Sequence, residues 1–160
     1  MVPASFRDTL VSSAKALGHN ADAFRSLNDA EVADVVASIK QTFGDAANGA
    51  MTEWWHSDRP CALPHLVRCF QDGGWRHLAA VAFDQKRPVW LIAENWKRGV
   101  PPILGFASTA SIVQDVLGNT HGFEYIVVDQ GLTWLFAEDH EDCVSVAGAE
   151  AVRRLDAISG

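Results

Sequence analysis

The strongest periodicity lies early in the chain. Val32, Val35, Val36, Ile39 and Phe43 recur at three- and four-residue steps, which return to one side of a helix and make a single apolar stripe. Asn28 or Asp29 can cap this helix, Glu31 and Asp34 sit near its positive end, and Gly44 stops it. Phe6, Leu10, Ala14 and Leu17 predict an earlier helix, closed by Gly18. A helical turn over Ala23–Leu27 joins the two. The stretch 45–64 has no period. It holds Asn48-Gly49, Trp54-Trp55, Pro60 and Pro64, and reads as a long connection packed down by its tryptophans. Pro64–Gln71 is expected to be a short helix with Pro64 at its first position. Gly73-Gly74 breaks it, and Trp75–Phe83 is expected to form another.

The pattern then changes. Pro88–Glu94 (PVWLIAE) and Phe123–Asp129 (FEYIVVD) are runs of β-branched and aromatic residues, as strands are. Ile103–Phe106 is a weaker strand. Ser108 or Thr109 caps a helix with Ile112, Val113, Val116 and Leu117 inward, ended by Gly118-Asn119. Gln130-Gly131 turns the chain into a hairpin partner over Leu132–Glu138. Asp139–Asp142 turns again into Cys143–Ala147. A last helix carries Val152, Leu155 and Ile158 inward. The chain is expected to be one α+β domain over 1–160: N-terminal helices packed on a mostly antiparallel sheet of about five strands, with an inserted helix and a C-terminal helix. WLIAENW at Trp90–Trp96 and WLFAEDH at Trp134–His140 echo each other, each ending an apolar strand on Glu.

Composition sharpens this in four respects. The 160 residues are 48% hydrophobic and 21% charged, a globular balance rather than a disordered one. The three cysteines, Cys61, Cys69 and Cys143, are too few and odd in number for a disulfide framework, so free thiols in a reducing, cytoplasmic setting are expected. The N-terminus lacks a basic region followed by an apolar run, and no apolar stretch is long enough to span a membrane. The net charge of −7 is uneven: −2 over residues 1–50, +1 over 51–120 and −6 over 121–160. Such an excess disfavours nucleic acid and favours basic partners.

No phosphate loop, dinucleotide fingerprint or nucleophile elbow is present, and no cofactor is expected. The run Glu138-Asp139-His140-Glu141-Asp142 has the residue types of a metal site, but neighbours in a turn splay apart. A solvated hairpin turn or a partner-binding edge fits it better. Cys61, His65 and Cys69 stand four residues apart, with His56 nearby. Pro64 interrupts any single helix through them, and the spacing of an established zinc site is missing. Cys143 sits within an expected strand, where an inert core thiol is anticipated. Lys97-Arg98 reads as solvated loop charge. Among the six tryptophans, Trp90 and Trp134 are expected in the core, whereas Trp54, Trp55 and Trp96 fall in loops or at strand ends and could anchor a partner.

The segments G-F-E-Y-I-V-V-D and W-L-F-A-E-D-H-E-D, spanning Gly122–Asp142, resemble the ending of a family of small uncharacterised bacterial proteins whose pattern runs FEYY, then W-L-x-x-E-N-H-H-D. Asp139 replaces the family's Asn and Glu141 its second His. The family is similar in size and acidity to immunity proteins of bacterial toxin systems. The resemblance implies a non-catalytic protein that neutralises a cognate toxin. The acidic excess and the loop tryptophans add the expectation that a basic toxin domain docks on a surface made of Glu138, Asp139, His140, Glu141 and Asp142 with Trp54, Trp55 or Trp96. The rival readings are a small hydrolase-like or metal-dependent enzyme built on a Cys/His or Glu/His cluster, and a regulatory interaction module with no toxin partner.

Overall fold

The computed structural model describes residues 5–43, 63–94, 103–120 and 122–158. Helix α1 (Phe6–Ala16) opens on a capping box: the Ser5 hydroxyl accepts from the Asp8 amide at 3.1 Å, and the Asp8 carboxylate accepts from the Ser5 amide at 3.2 Å. Gly18, at φ +87°, ends the helix by donating its amide to the Lys15 carbonyl. Helix α2 (Asp29–Phe43) starts the same way, with Asn28 and Glu31 exchanging hydrogen bonds of 2.9 and 2.8 Å.

Among the described residues, seven strands form one sheet, paired antiparallel throughout. They are β1 (Arg25–Ser26), β2 (His65–Cys69), β3 (Pro88–Glu94), β4 (Ile103–Thr109), β5 (Glu124–Asp129), β6 (Leu135–Glu138) and β7 (Cys143–Ala147), in the order β1-β4-β3-β5-β6-β7-β2. Helix α2 packs on one face. Its Val32, Val35, Ile39 and Phe43 meet Ile92, Ile126, Val128, Leu135 and Ala137. The approach is close at β4, where a side chain on Gly105 would come within 2.8 Å of Val32. The other face carries α1, α3 (Leu78–Val81), α4 (Ala110–Asn119) and α5 (Ala149–Asp156), packed on Leu91, Phe106, Val127, Phe136 and Val146. With both faces covered, β5 is buried at every position, which is why it reads as a continuous apolar run rather than an alternation. The α+β class with helices at both ends of the chain is thus observed.

Four local expectations change. Pro64–Gln71 is not helical: His65–Cys69 is the edge strand β2, alternating in burial along HLVRC and leaving Val67 51% exposed. Ala23–Leu27 is not simply a helical turn, because Arg25–Ser26 pair with Ala107 and Phe106 of β4. These two strands raise the count to seven. Trp75–Phe83 divides into a 3-10 turn, Gly74–His77, and the four-residue α3. The strand expected from Leu132 starts only at Leu135, because Leu132 takes φ +56° in the preceding turn.

The cysteine expectation is corrected as well. Cys69 and Cys143 are joined in a disulfide across 74 residues of sequence. They stand directly opposite in the β2–β7 register, and only the sheet order brings them together. Cys61 lies outside the described residues, as do Trp54, Trp55, His56, Trp96, Lys97 and Arg98.

The two echoing segments face opposite ways. Trp134 and Phe136 pack against the four-helix face, whereas Trp90 and Ile92 lie on the α2 side. Across β5, Trp90 aligns with Val128 and hence with Leu135 rather than with Trp134. This offset of one residue inverts every side chain. Glu94 and Glu138 therefore end their strands on different faces.

Candidate functional site: an acid-walled cavity at one end of the sheet

A cavity of ≈ 540 Å³ opens where β5 begins and β6 ends. This size falls within the range of small-ligand pockets. The segment Gln71–Arg76 forms one wall, the end of α4 (Leu117, Thr120) and the approach to β5 (Gly122, Phe123) form another, and Tyr125, Glu138 and the β6–β7 turn complete it. Gly73 and Gly74 let the first wall come in. Gly73 adopts φ +90°, a conformation that costs glycine little. A side chain on Gly74 would lie 2.0 Å from Val144 and 3.0 Å from a Glu138 carboxylate oxygen.

Glu138 is 5% exposed and lies on the cavity wall. Its Oε2 accepts from the Tyr125 hydroxyl at 2.5 Å. Its Oε1 accepts from the Gly74 amide. Burial pushes its carboxyl above its ordinary value, with Asp142 adding to the rise, and the donors around it offset only part of that. Burial beside Glu138 likewise pushes the Tyr125 phenol far up. Among the described residues no Lys or Arg forms an ion pair with Glu138.

The remaining acids of the turn have other environments. Asp139 Oδ1 accepts from the amides of Glu141 and Cys143 at 2.9 and 3.1 Å, which shapes the turn. Asp142 sits at φ +58° and is exposed, as is Glu141. The ring of His140 meets Glu124 at 2.6 Å. That hydrogen bond raises the His140 pKa, against the effect of burial. Ligand atoms of Asp139, Glu141 and Cys143 lie within 4.8 Å of one another. The Cys143 sulfur is tied to Cys69, however, and offers no thiolate.

The expected docking surface is accordingly redistributed. Of its residues, Glu138, Asp139, His140 and Asp142 line the cavity, and Glu141 is exposed on the same turn. Glu138 is turned inward. The tryptophans proposed as anchors, Trp54, Trp55 and Trp96, lie outside the described residues. The regional charge excess does not form one face, because Glu124, Asp129 and Glu138 are buried and Glu150 is held by Arg153 and Arg154.

Sequence reasoning missed Asp72, Gly74, Tyr125 and Glu124. Asp72 and Tyr125 line the cavity, Gly74 admits its wall, and Glu124 and Glu94 form a buried cross-strand pair on the α2 face. The signals within reach are Gly73-Gly74, which reads as a breaker but is a close approach, and the F-E-Y run, which holds Glu124 and Tyr125 but reads only as a strand and a resemblance. No helix among the described residues is long and apolar enough to cross a membrane. Comparison with known protein families, characterised proteins and solved structures finds no match.

Proposed function

We propose that this chain is a non-catalytic protein-binding protein of the immunity or antitoxin type, neutralising a basic toxin domain at the Glu138 end of its sheet. One observation carries the reading: among the described residues a ligand-sized cavity is lined by four acids, Asp72, Glu138, Asp139 and Asp142, against one arginine, Arg76, and His140, which is paired with Glu124. Arg76 is itself occupied, stacked 4.6 Å from the Trp75 ring centre and 3.8 Å from Asp72. A negative opening of this kind draws in cationic side chains and speeds encounter with a basic partner. The overall charge of −7 speaks against nucleic acid as that partner, and no membrane partner is invoked.

A small hydrolase-like enzyme is the second reading. Its support is Glu138, a carboxyl with a raised pKa on a cavity wall, the environment of many general acids. The Cys/His version is weakened because Cys69 and Cys143 are bridged. A regulatory interaction module would use the same surface without a toxin.

The cytoplasmic setting meets one opposing observation, since such bridges persist mainly in oxidising compartments. Rapid alkylation of cells at lysis decides between them. Blocked thiols at Cys69 and Cys143 support the cytoplasm, and an intact bridge supports an oxidising site.

Co-expression with the product of the adjacent gene, scored for growth rescue, tests the function. A triple variant sharpens it: Asp139→Asn and Asp142→Asn keep the turn geometry while Glu141→Lys reverses a charge. Association with the partner should slow by about tenfold at low salt. Unchanged association would remove the acidic turn from the account.

A further inference from the structure

We propose that the cavity receives one guanidinium group, the tip of an arginine on the partner protein, with Glu138 as its counter-charge. This rests on the protein-binding reading and names what enters the site.

The first argument is vacancy of charge. Glu138 is 95% withdrawn from solvent, by its 5% exposure, and no cation among the described residues neutralises it. A carboxylate offers about four acceptor positions, and the Gly74 amide and the Tyr125 hydroxyl occupy two of them. Acceptor capacity is left over on a residue that lines the cavity. A cation placed there gains a charge-assisted hydrogen bond in a poorly hydrated site, where such bonds are strongest.

The second argument is the number and spread of acceptors. The Tyr125 hydroxyl donates its proton to Glu138, and its residue lines the same cavity wall. Asp139 uses Oδ1 in the turn and leaves Oδ2. Asp142 adds a carboxylate on the rim. A planar group with five N–H donors matches several acceptors spread around a wall better than a compact ammonium does. Guanidinium is also the more weakly hydrated cation, so bringing it against a buried carboxylate costs less. Phe123 supplies an aromatic surface beside Tyr125, with ring centres 6.0 Å apart, and guanidinium stacks on such faces.

The protein already holds one guanidinium in this way. Arg76 stacks on Trp75 at the cavity's edge and donates to the Asp72 carbonyl at 2.8 Å. Its side chain is about half exposed. It guards the opening without reaching Glu138, so the inner acidic wall is left to the ligand.

The test uses the full chain and three probes: Nα-acetyl-arginine methylamide, its citrulline counterpart, which has the same shape without the charge, and the lysine counterpart. Calorimetric titration should show the arginine probe binding at least about tenfold more tightly than citrulline, the size expected for a hydrogen bond to a charged group, with lysine between them. Glu138→Gln retains the shape and should lose about tenfold in arginine affinity. Asp142→Asn, on the exposed rim, should lose less and guards against a folding artefact in the first variant. Equal binding of arginine and citrulline, or unchanged arginine binding in Glu138→Gln, overturns the assignment. So does an absence of probe binding in a protein that still captures its partner through Asp139, Glu141 and Asp142, and in that case the docking surface stands without the pocket.

Discussion

Asp129 and Glu138 lie on neighbouring strands, face the same four-helix layer and are both buried, yet they occupy opposite ends of the sheet. Asp129 is fully buried and fully answered. It accepts from the Thr133 amide at 2.6 Å, the Thr133 hydroxyl at 2.9 Å and the Trp134 amide at 3.0 Å, and it pairs with Arg87 at 3.2 Å. No room is left beside it, since a side chain on Gly131 would lie 3.0 Å from Asp129 and 3.1 Å from Arg87. Glu138 also has donors, but among the described residues no cation pairs with it, and it borders a ≈ 540 Å³ cavity. Burial of a carboxylate is thus not in itself a sign of function. A carboxylate whose charge is matched within the fold holds a turn together. One whose charge is left unmatched beside open space is available to a ligand.

The largest expected effect comes from breaking the matched end. Asp129→Ala takes the partner from the part-exposed Arg87 guanidinium, the Thr133 amide and the buried Trp134 amide, and should cost about 3 kcal/mol in urea unfolding at neutral pH. A cost below about 1 kcal/mol would mean that Asp129 does not hold this turn.

Removal of the disulfide comes next. It sits at the Glu138 end, where β2 and β7 carry two of the cavity walls. The double variant Cys69→Ser, Cys143→Ser should lose about 2–4 kcal/mol, and it should weaken arginine-probe binding where Asp129→Ala does not. Equal probe affinity with and without the bridge would show that the walls stand unaided.

Gly74→Ala is smaller. The added methyl must displace Val144 and presses on Glu138, which should cost about 1–3 kcal/mol and narrow the cavity. Wild-type stability and probe binding in this variant would contradict the close approach.

The smallest effect is a pH dependence. The folded pKa of Glu138 lies above its usual value, so its favourable contribution is full below that usual value, about 4.5, and is lost as pH rises through the folded one. Glu138→Gln does not titrate. Its stability relative to the parent should therefore improve from pH 4 to pH 7, by no more than about 1 kcal/mol. A decline over that interval would reverse the sign and remove the claim that burial dominates.

These contrasts also mark what the sequence can disclose. The α2 stripe, the β3 and β5 runs and the α4 face are local patterns, and each is visible in consecutive residues. β2 was missed although HLVRC alternates, because Pro64 suggested a helix start and an edge strand has only one neighbour to bury it. β1 has two residues and exists only through its pairing with β4. The Glu138–Asp142 run was legible as chemistry, but not its division between a buried acid and an exposed turn. That division depends on Gly74, 64 residues away in sequence, donating to Glu138. Tyr125 lies in the F-E-Y run and Asp72 in no motif, and both become site residues only through the sheet order. The Cys69–Cys143 bridge is hidden for the same reason.

The most direct test of the central claim is an amide and indole NMR shift map of the full chain titrated with the arginine probe. The account predicts shifts at Gly73, Gly74, Trp75, Tyr125 and Glu138, with Asp129, Thr133 and Trp134 unmoved. Shifts centred on the Asp129 end, or spread evenly over the surface, would contradict it.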